Sequence, residues 1–318
     1  MPLEISRRNL LAGVGAALAL QLPARTADDK PGPPKLKVAI FSKHLQFVGG
    51  EELAKAAAGI GFDGIDITVR KGGHVAPERV KQDLPPLVAI IRQHGLEVPM
   101  ITADIIDTQT PFTEDILKTM ADLGIRHYRW GGFQYVAGLP YAAQLDQMKP
   151  RIAKLAALNS RYHACAMYHT HSGTGVVGAS IWDLYILLKD FDPNAVGVNY
   201  DVGHAVIEGG VGGWINSFHI LGPHLRGIAV KDFIWAGDTT GNWKPQWKPL
   251  GEGMVHLPQF FTMVADSQFS GPLQLHFEYR LGGETSSSGA GVVNRDVVYS
   301  EMKRDLNKLR GYLAQAHL

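Results

Sequence analysis

From Leu36 onward, short runs of β-branched and aromatic residues alternate with longer stretches whose apolar residues recur every three or four positions. The short runs have the length of strands and the longer ones the period of amphipathic helices. The spacing predicts strands at LKVAIFS (36–42), GIDITV (64–69), EVPMITA (97–103) and IRHYRWG (125–131). Four more are expected at YHACAMYHT (162–170), AVGVNYD (195–201), LRGIAVKDF (225–233) and PLQLHFEY (272–279). Helical stretches such as GEELAKAAAGIG and TEDILKTMADLG lie between them and end on glycine, the residue favoured just past a helix C-terminus. SEMKRDLNKLRGYLAQA closes the chain as a last helix. Eight strand–helix units in about 280 residues are the count of a single-domain (β/α)8 TIM barrel. A doubly wound sheet would need fewer strands and a glycine-rich phosphate loop after the first, and SKHLQFVGGEE has no such spacing.

Ahead of this pattern the chain reads differently. Arg7 and Arg8 directly precede an apolar run from Leu10 to Leu22, too short and too rich in alanine and glycine to span a bilayer comfortably. This resembles a twin-arginine export signal, which predicts a periplasmic or exported protein with no stable membrane anchor once the signal is removed. DDKPGPPK then reads as a proline-rich linker, so residues 1–34 are expected as signal and linker and 35–318 as the barrel. A single long connection, Ile234–Val255, follows strand seven; its tryptophans, prolines and glycines predict a loop ordered by packing.

Composition narrows the function. Thirty-one Lys+Arg against 30 Asp+Glu give a net charge of +1, which offers no electrostatic footprint for nucleic acid. The one cysteine, Cys165, excludes an internal disulfide and an all-cysteine zinc site, and its alternation with Met167 assigns it to the core. Neither balance fixes the oligomeric state; a homo-oligomer fits as well as a monomer.

The chemistry concentrates at the carboxyl-terminal strand ends, which in a barrel form the active face. Those ends carry Lys43 and His44; Asp66, Thr68 and Arg70; Thr102 and Asp104; and His127 and Arg129. The second half of the barrel adds His169 and His171, Asp201 and His204, Lys231, and His276 with Glu278. Residues two apart share a strand face, so His169 and His171 point one way, as do His276 and Glu278. Strand six ends on Asp201 in YDVGH, and a turn at Gly203 is expected to fold His204 back over it. An unpaired buried carboxylate loses roughly several kcal/mol of hydration. A divalent cation held by imidazole and carboxylate from strands five, six and eight would supply the partner.

Four segments, YDVGHAVIEGG, GIAVKDF, PLGEGMV and GPLQLHFEY, resemble the sugar phosphate isomerase/epimerase proteins of the xylose-isomerase-like TIM-barrel group. GFDGIDITVRKGGHVAPERV, with the export signal, resembles a bacterial subgroup carrying twin-arginine signals. The resemblance implies one divalent metal held by Glu on strand five, Asp on six, His on seven and Glu on eight. Asp201 and Glu278 match that pattern, while His169 stands where Glu is usual, with His171 on the same face. The usual HLKD reads AVKD, placing Ala229 at the histidine position. Either a strand-five histidine does the missing work, or the metal is lost and Lys231 neutralises the carboxylates. The expected ligand set is His169, His171, Asp201 and Glu278, suited to manganese, zinc, cobalt or iron rather than calcium.

The activity so implied is isomerisation or epimerisation of a sugar or keto-sugar by proton abstraction next to a carbonyl, through a metal-stabilised enediolate. Glu278, His204, Lys231 and Arg129 are the expected catalytic groups; His44, Asp66, Arg70, Asp104 and Trp235 are expected to bind the carbohydrate, with Trp235 and Trp243 stacking on it or packing as a lid. A lyase or dehydratase acting on a 3-keto-sugar or 3-keto-glycoside uses the same half-reaction, and a non-catalytic sugar-binding barrel is the alternative that Ala229 favours.

Overall fold

Strands form where the apolar alternation lies, and parallel pairing closes them. In this computed structural model, which describes residues 35–281 and 294–318, eight parallel strands make one closed barrel. The first six are β1 (Val38–Phe41), β2 (Gly64–Val69), β3 (Met100–Ala103), β4 (His127–Trp130), β5 (Cys165–His169) and β6 (Val196–Asp201). β7 (Leu225–Val230) follows, and then a two-stranded antiparallel hairpin, β8 (Asp232–Gly237) with β9 (Trp243–Lys248), stands outside the barrel. β10 (Leu273–Leu275) is the eighth barrel strand and closes the ring between β7 and β1. The expected signal and linker lie outside the described residues.

Around the barrel run α1 (Gly50–Ile60), α2 (Val80–Gln93), α3 (Thr113–Asp122), α4 (Tyr141–Arg161) and α5 (Trp182–Leu188). α6 (Val202–Gly209), α7 (Gly213–Leu221), α8 (Leu257–Asp266) and α9 (Arg295–Gln315) complete the ring. Their apolar faces pack on strands whose residues are almost all buried, as expected of a parallel sheet covered by helices. No described helix is long and apolar enough to cross a membrane.

Several boundaries differ from the sequence pattern: strand three begins at Met100, and strand eight stops at Leu275, so His276 and Glu278 lie in the segment after it rather than on a strand face. Two further differences have identifiable reasons. Tyr162 and His163, counted in strand five, instead cap α4 and turn the chain, His163 at φ 53°. Aromatic content mimics a strand there, but α4 continues to Arg161 before the turn. Strand seven stops at Val230, and the residues after Lys231 leave the barrel to form the hairpin. The long connection is thus ordered, as its composition suggested. Its base is tied by Asp232, whose carboxylate accepts from the backbone N–H of Gly251, Gly253 and Val255 at 3.0–3.1 Å.

Inside the barrel, Met100, Cys165 and Met167 form a buried cluster, with Gln274 against Met100. Gly227 on β7 makes room here: a Cβ would lie 2.9 Å from both Met167 Sδ and Asn199 Oδ1. This plug supports the polar layer above it.

Candidate active site

β6 passes into α6 without a loop, so Asp201 is both the last strand residue and the helix N-cap. Its Oδ1 accepts from His204 N at 3.1 Å, satisfying one of the orphan donors of the first turn. Thr170 Oγ1 accepts from Asp201 N at 2.9 Å and fixes the strand end. Oδ2 is left facing Lys231 Nζ at 3.0 Å and His169 Nε2 at 3.4 Å, without an aligned hydrogen bond. The expected turn at Gly203 does not occur, because the helix has already begun. Gly203 serves by its missing Cβ, which would come within 2.8 Å of Lys231 Cγ and 3.2 Å of Trp247.

Lys231 is the hub of this side. It is only 4% exposed, its Nζ lies 2.8 Å from His204 Nε2, and it sits 4.3 Å from the centre of the Trp247 ring. An ammonium can only donate, so His204 Nε2 accepts and its proton sits on Nδ1, donating to Ser172 Oγ at 2.8 Å. Burial brings His204 down to about 3, consistent with that neutral ring. Ser172 is therefore a hydrogen-bond acceptor from His204, not a hydroxyl activated for attack. Burial opposes ionisation of Asp201, but Lys231 foremost, then His204 and His169, holds its carboxyl well below the usual carboxylate range.

Two clusters of donor atoms could hold a metal ion among the described residues: His169, Asp201 and His276, and His44, His276 and Glu278. His276 Nε2 lies 3.1 Å from Gln274 Oε1 and so carries the proton; Nδ1 is then a buried lone pair with no partner. Asp201 Oδ2, in the same cluster, is ion-paired to Lys231 and has no aligned hydrogen bond. His169 Nδ1 lies 3.1 Å from Asn199 Nδ2, which directs the His169 proton to Nε2, toward Asp201. Turning the Asn199 amide would give its unpartnered Oδ1 a donor and free His169 Nε2 as a ligand. The first cluster therefore fits a cation, with Lys231 as its competitor for Asp201. The second fits less well, because His44 Nε2 already accepts from Phe277 N at 3.1 Å. Burial drives His169 and His276 well below the normal imidazole range, and neutral imidazoles are what a cation needs.

Above these groups opens a cavity of about 230 Å³ lined by Phe41, Lys43, Arg70, Arg129, His169, His171, His204, Lys231, Trp247 and Glu278. Every expected catalytic group is brought together here: Glu278, His204, Lys231 and Arg129. Of the expected ligands, His169 and Asp201 fall in one cluster and Glu278 in the other. His171 stands apart: its Nε2 is 3.2 Å from Arg129 Nη2, and its Nδ1 donates to the His169 carbonyl at 3.2 Å. Its place is taken by His276, which the spacing put on the Glu278 face but which the ligand pattern passed over.

Of the expected sugar-binding residues only Arg70 lines the cavity. His44 packs behind it against His276, with ring centres 5.8 Å apart. Asp66 is fully buried on β2, with Oδ2 accepting from Thr102 Oγ1 at 2.7 Å and Oδ1 unpartnered. Asp104 is exposed, and Trp235 and Trp243 lie out on the hairpin; Trp247, two turns of the alternation further along, is the tryptophan that reaches the cavity. No signal in the sequence distinguishes it, because hairpin register decides which ring faces inward. His127 belongs to the opposite end, lining a separate cavity with Arg226 and Phe269. Ala229 is paired with Asp201 and Gln274 in the strand registers and wholly buried.

Comparison with known proteins agrees with the fold. The family model described as "Xylose isomerase-like TIM barrel" matches residues 54–292. No curated protein matches the chain. Among solved structures, D-psicose 3-epimerase with D-tagatose from Clostridium cellulolyticum H10 is similar at 16% identity, over 87% of this chain and 99% of that one, with a TM-score of 0.64. The probable 3-DHS dehydratase AsbF of Bacillus anthracis is similar at 17% identity, over 84% and 98%, with a TM-score of 0.62. The IOLI protein with a bound zinc atom is similar at 12% identity, over 88% and 98%, with a TM-score of 0.63. At such identities the likeness is one of fold.

Proposed function

The chain belongs to the xylose isomerase-like TIM barrel family, and from that premise we propose that it is a sugar isomerase or epimerase working by proton transfer at a carbon next to a carbonyl. The observation that carries this reading is one cavity lined by both an ionisable carboxylate, Glu278, and a buried ammonium, Lys231. Burial opposes the Glu278 charge, but Lys231 first, with His44 and Lys43, outweighs it and sets the carboxyl below its ordinary value. It is therefore ionised at neutral pH and suited to accept the proton. Lys231, held by Asp201 and donating to His204, lies where it can place positive charge against a developing oxyanion. Arg70 and Arg129 supply donors that orient the substrate. His169, Asp201 and His276 would hold the divalent cation, and their nitrogen and oxygen donors suit manganese, zinc, cobalt or iron. When bound, that ion would supply Lewis-acid polarisation of the carbonyl.

A lyase or dehydratase outcome is the second reading, favoured by the buried ammonium of Lys231, which can protonate a departing hydroxyl as readily as it can face an enolate. The paired Arg7 and Arg8 before Leu10–Leu22 support export to the periplasm as part of the same proposal.

Incubation of the protein with a panel of keto-sugars in deuterated buffer, with product analysis, tests this. Deuterium gained at carbon without loss of water means epimerisation; loss of water means dehydration. Binding without exchange, before and after metal addition, would leave a sugar-binding barrel and sink the enzymatic reading. Glu278→Gln is expected to slow exchange by about 10²–10⁴-fold, the usual contribution of a general base.

A further inference from the structure

The polar groups of the cavity carry unequal charge. Both lysines that line it are matched: Lys43 to Glu278, the one acid in the lining, at 4.0 Å, and Lys231 to the buried Asp201 beneath at 3.0 Å. Arg70 and Arg129 are left over. Neither forms an ion pair among the described residues, although both line the cavity. Their guanidinium carbons lie over the same Phe41 ring, at 5.6 and 5.7 Å from its centre. Asp66 is fully buried, with one oxygen committed to Thr102 and the other without a hydrogen-bond partner; its field reaches both arginines, but it makes an ion pair with neither. The hydrogen-bond contact of Arg129 is to the neutral imidazole of His171, with Nη2 at 3.2 Å from Nε2.

Two guanidinium groups held on one aromatic shelf repel each other, and partial burial removes the water that would screen them. Their planar forks are the side-chain geometry best matched to an oxyanion with two or more oxygens. We infer that the cavity takes a sugar bearing an oxyanion, a carboxylate or a phosphate, which Arg70 and Arg129 grip together above Phe41. The volume, about 230 Å³, lies below the range of drug-sized sites and fits one sugar unit rather than an oligosaccharide. This deepens the proposed function and rests on the same cavity being its substrate site.

The test is calorimetric titration of the purified protein with D-glucose, D-glucuronate and D-glucose 6-phosphate, repeated with Arg70→Gln and Arg129→Gln. At least one acid is expected to bind about tenfold or more tighter than D-glucose, and each substitution to remove most of that ratio by weakening the acid more than D-glucose. Glucuronate ahead of the phosphate ester identifies a carboxylate; the reverse order identifies a phosphate. Equal affinity for all three, binding of none, or an equal loss for all three in the variants overturns the inference. Deuterium exchange into D-fructose, measured on the same preparation, separates the two claims. Exchange without acid preference leaves proton transfer standing and removes the anion site, whereas acid preference without exchange into any keto-sugar does the opposite.

Discussion

The two sides of the barrel mouth are built on different terms. On the side of β5 to β7, Ser172, His204, Lys231, Asp201, His169 and Asn199 each contact the next, so positive and negative groups answer one another within the protein. On the side of β2 and β4, Arg70 and Arg129 stand on Phe41 and form no ion pair among the described residues. The first arrangement is closed and holds its groups in place before any ligand arrives. The second is open, and its charge is completed from outside. Chemistry that must be exact belongs on the closed side, and choice of substrate belongs on the open one.

The sharpest way to break this contrast is to open the closed side. Asp201→Asn leaves Lys231 buried without its counter-charge and is expected to cost about 3–5 kcal/mol in a urea unfolding series. Adding Lys231→Met to that variant removes the stranded charge and should recover most of the loss. Failure of the second substitution to recover anything would mean that the ammonium is not what Asp201 stabilises.

Asp66 offers a second lever, because it lies under the open side. Burial, only partly offset by Thr102, Arg129 and Arg70, pushes its carboxyl up to about 7 from an unfolded value of 3.8. The folded chain therefore keeps a proton that the unfolded chain releases. Its contribution to stability is complete below pH 4 and is lost as pH rises through 7. At roughly 1.4 kcal/mol per unit, the loss is on the order of 4 kcal/mol if the site stays dry. Asp66→Asn should abolish that pH dependence, read as the difference between the two proteins' unfolding free energies from pH 4 to 8. An oxyanion bound at Arg70 and Arg129 should push the Asp66 midpoint higher still, which ties this measurement to the open side.

The hairpin connects to the closed side through Trp247. Gly253 packs so tightly on the Asp232 carboxylate that a Cβ would overlap it, and Asp232 ties down the loop that carries the hairpin back to the barrel. Gly253→Ala is expected to cost about 1–3 kcal/mol as an overpacking change. The same substitution should alter Trp247 fluorescence, since this ring faces Lys231.

Much of this was legible in the residue pattern, and the rest was hidden for physical reasons. Alternation and helical period are local, so the eight-strand barrel and the rim position of Asp201, Lys231 and Glu278 could be read directly. Which neighbour completes each group is set by register and closure. His276 joins Asp201 because β10 pairs beside β7, with His276 N bonded to the Val230 carbonyl at 3.0 Å, a relation that spacing along one strand does not carry. Trp247 rather than Trp235 reaches the cavity for the same kind of reason: the antiparallel pairing of Trp235 with Pro245 and of Phe233 with Trp247 decides which rings turn inward. His127 shows the converse error. It sits at the start of β4 rather than its end, and four residues of strand separate the two faces of the barrel.

The smallest expected effect closes the contrast. Arg70 is half-buried and makes no ion pair among the described residues; besides its field at Asp66, its side chain has the ring contact with Phe41, worth about 0.5–1 kcal/mol at an exposed site. Its charge is also repelled by Arg129 on the same shelf, which offsets part of that gain. Arg70→Gln should therefore shift unfolding by less than about 1 kcal/mol in the same urea series that reports several for Asp201→Asn. A residue that contributes so little to the fold while occupying a charged cavity owes its place to what binds there. If Arg70→Gln instead destabilises the chain as strongly as Asp201→Asn, the open side is a structural element like the closed one, and the division of labour across the mouth does not exist.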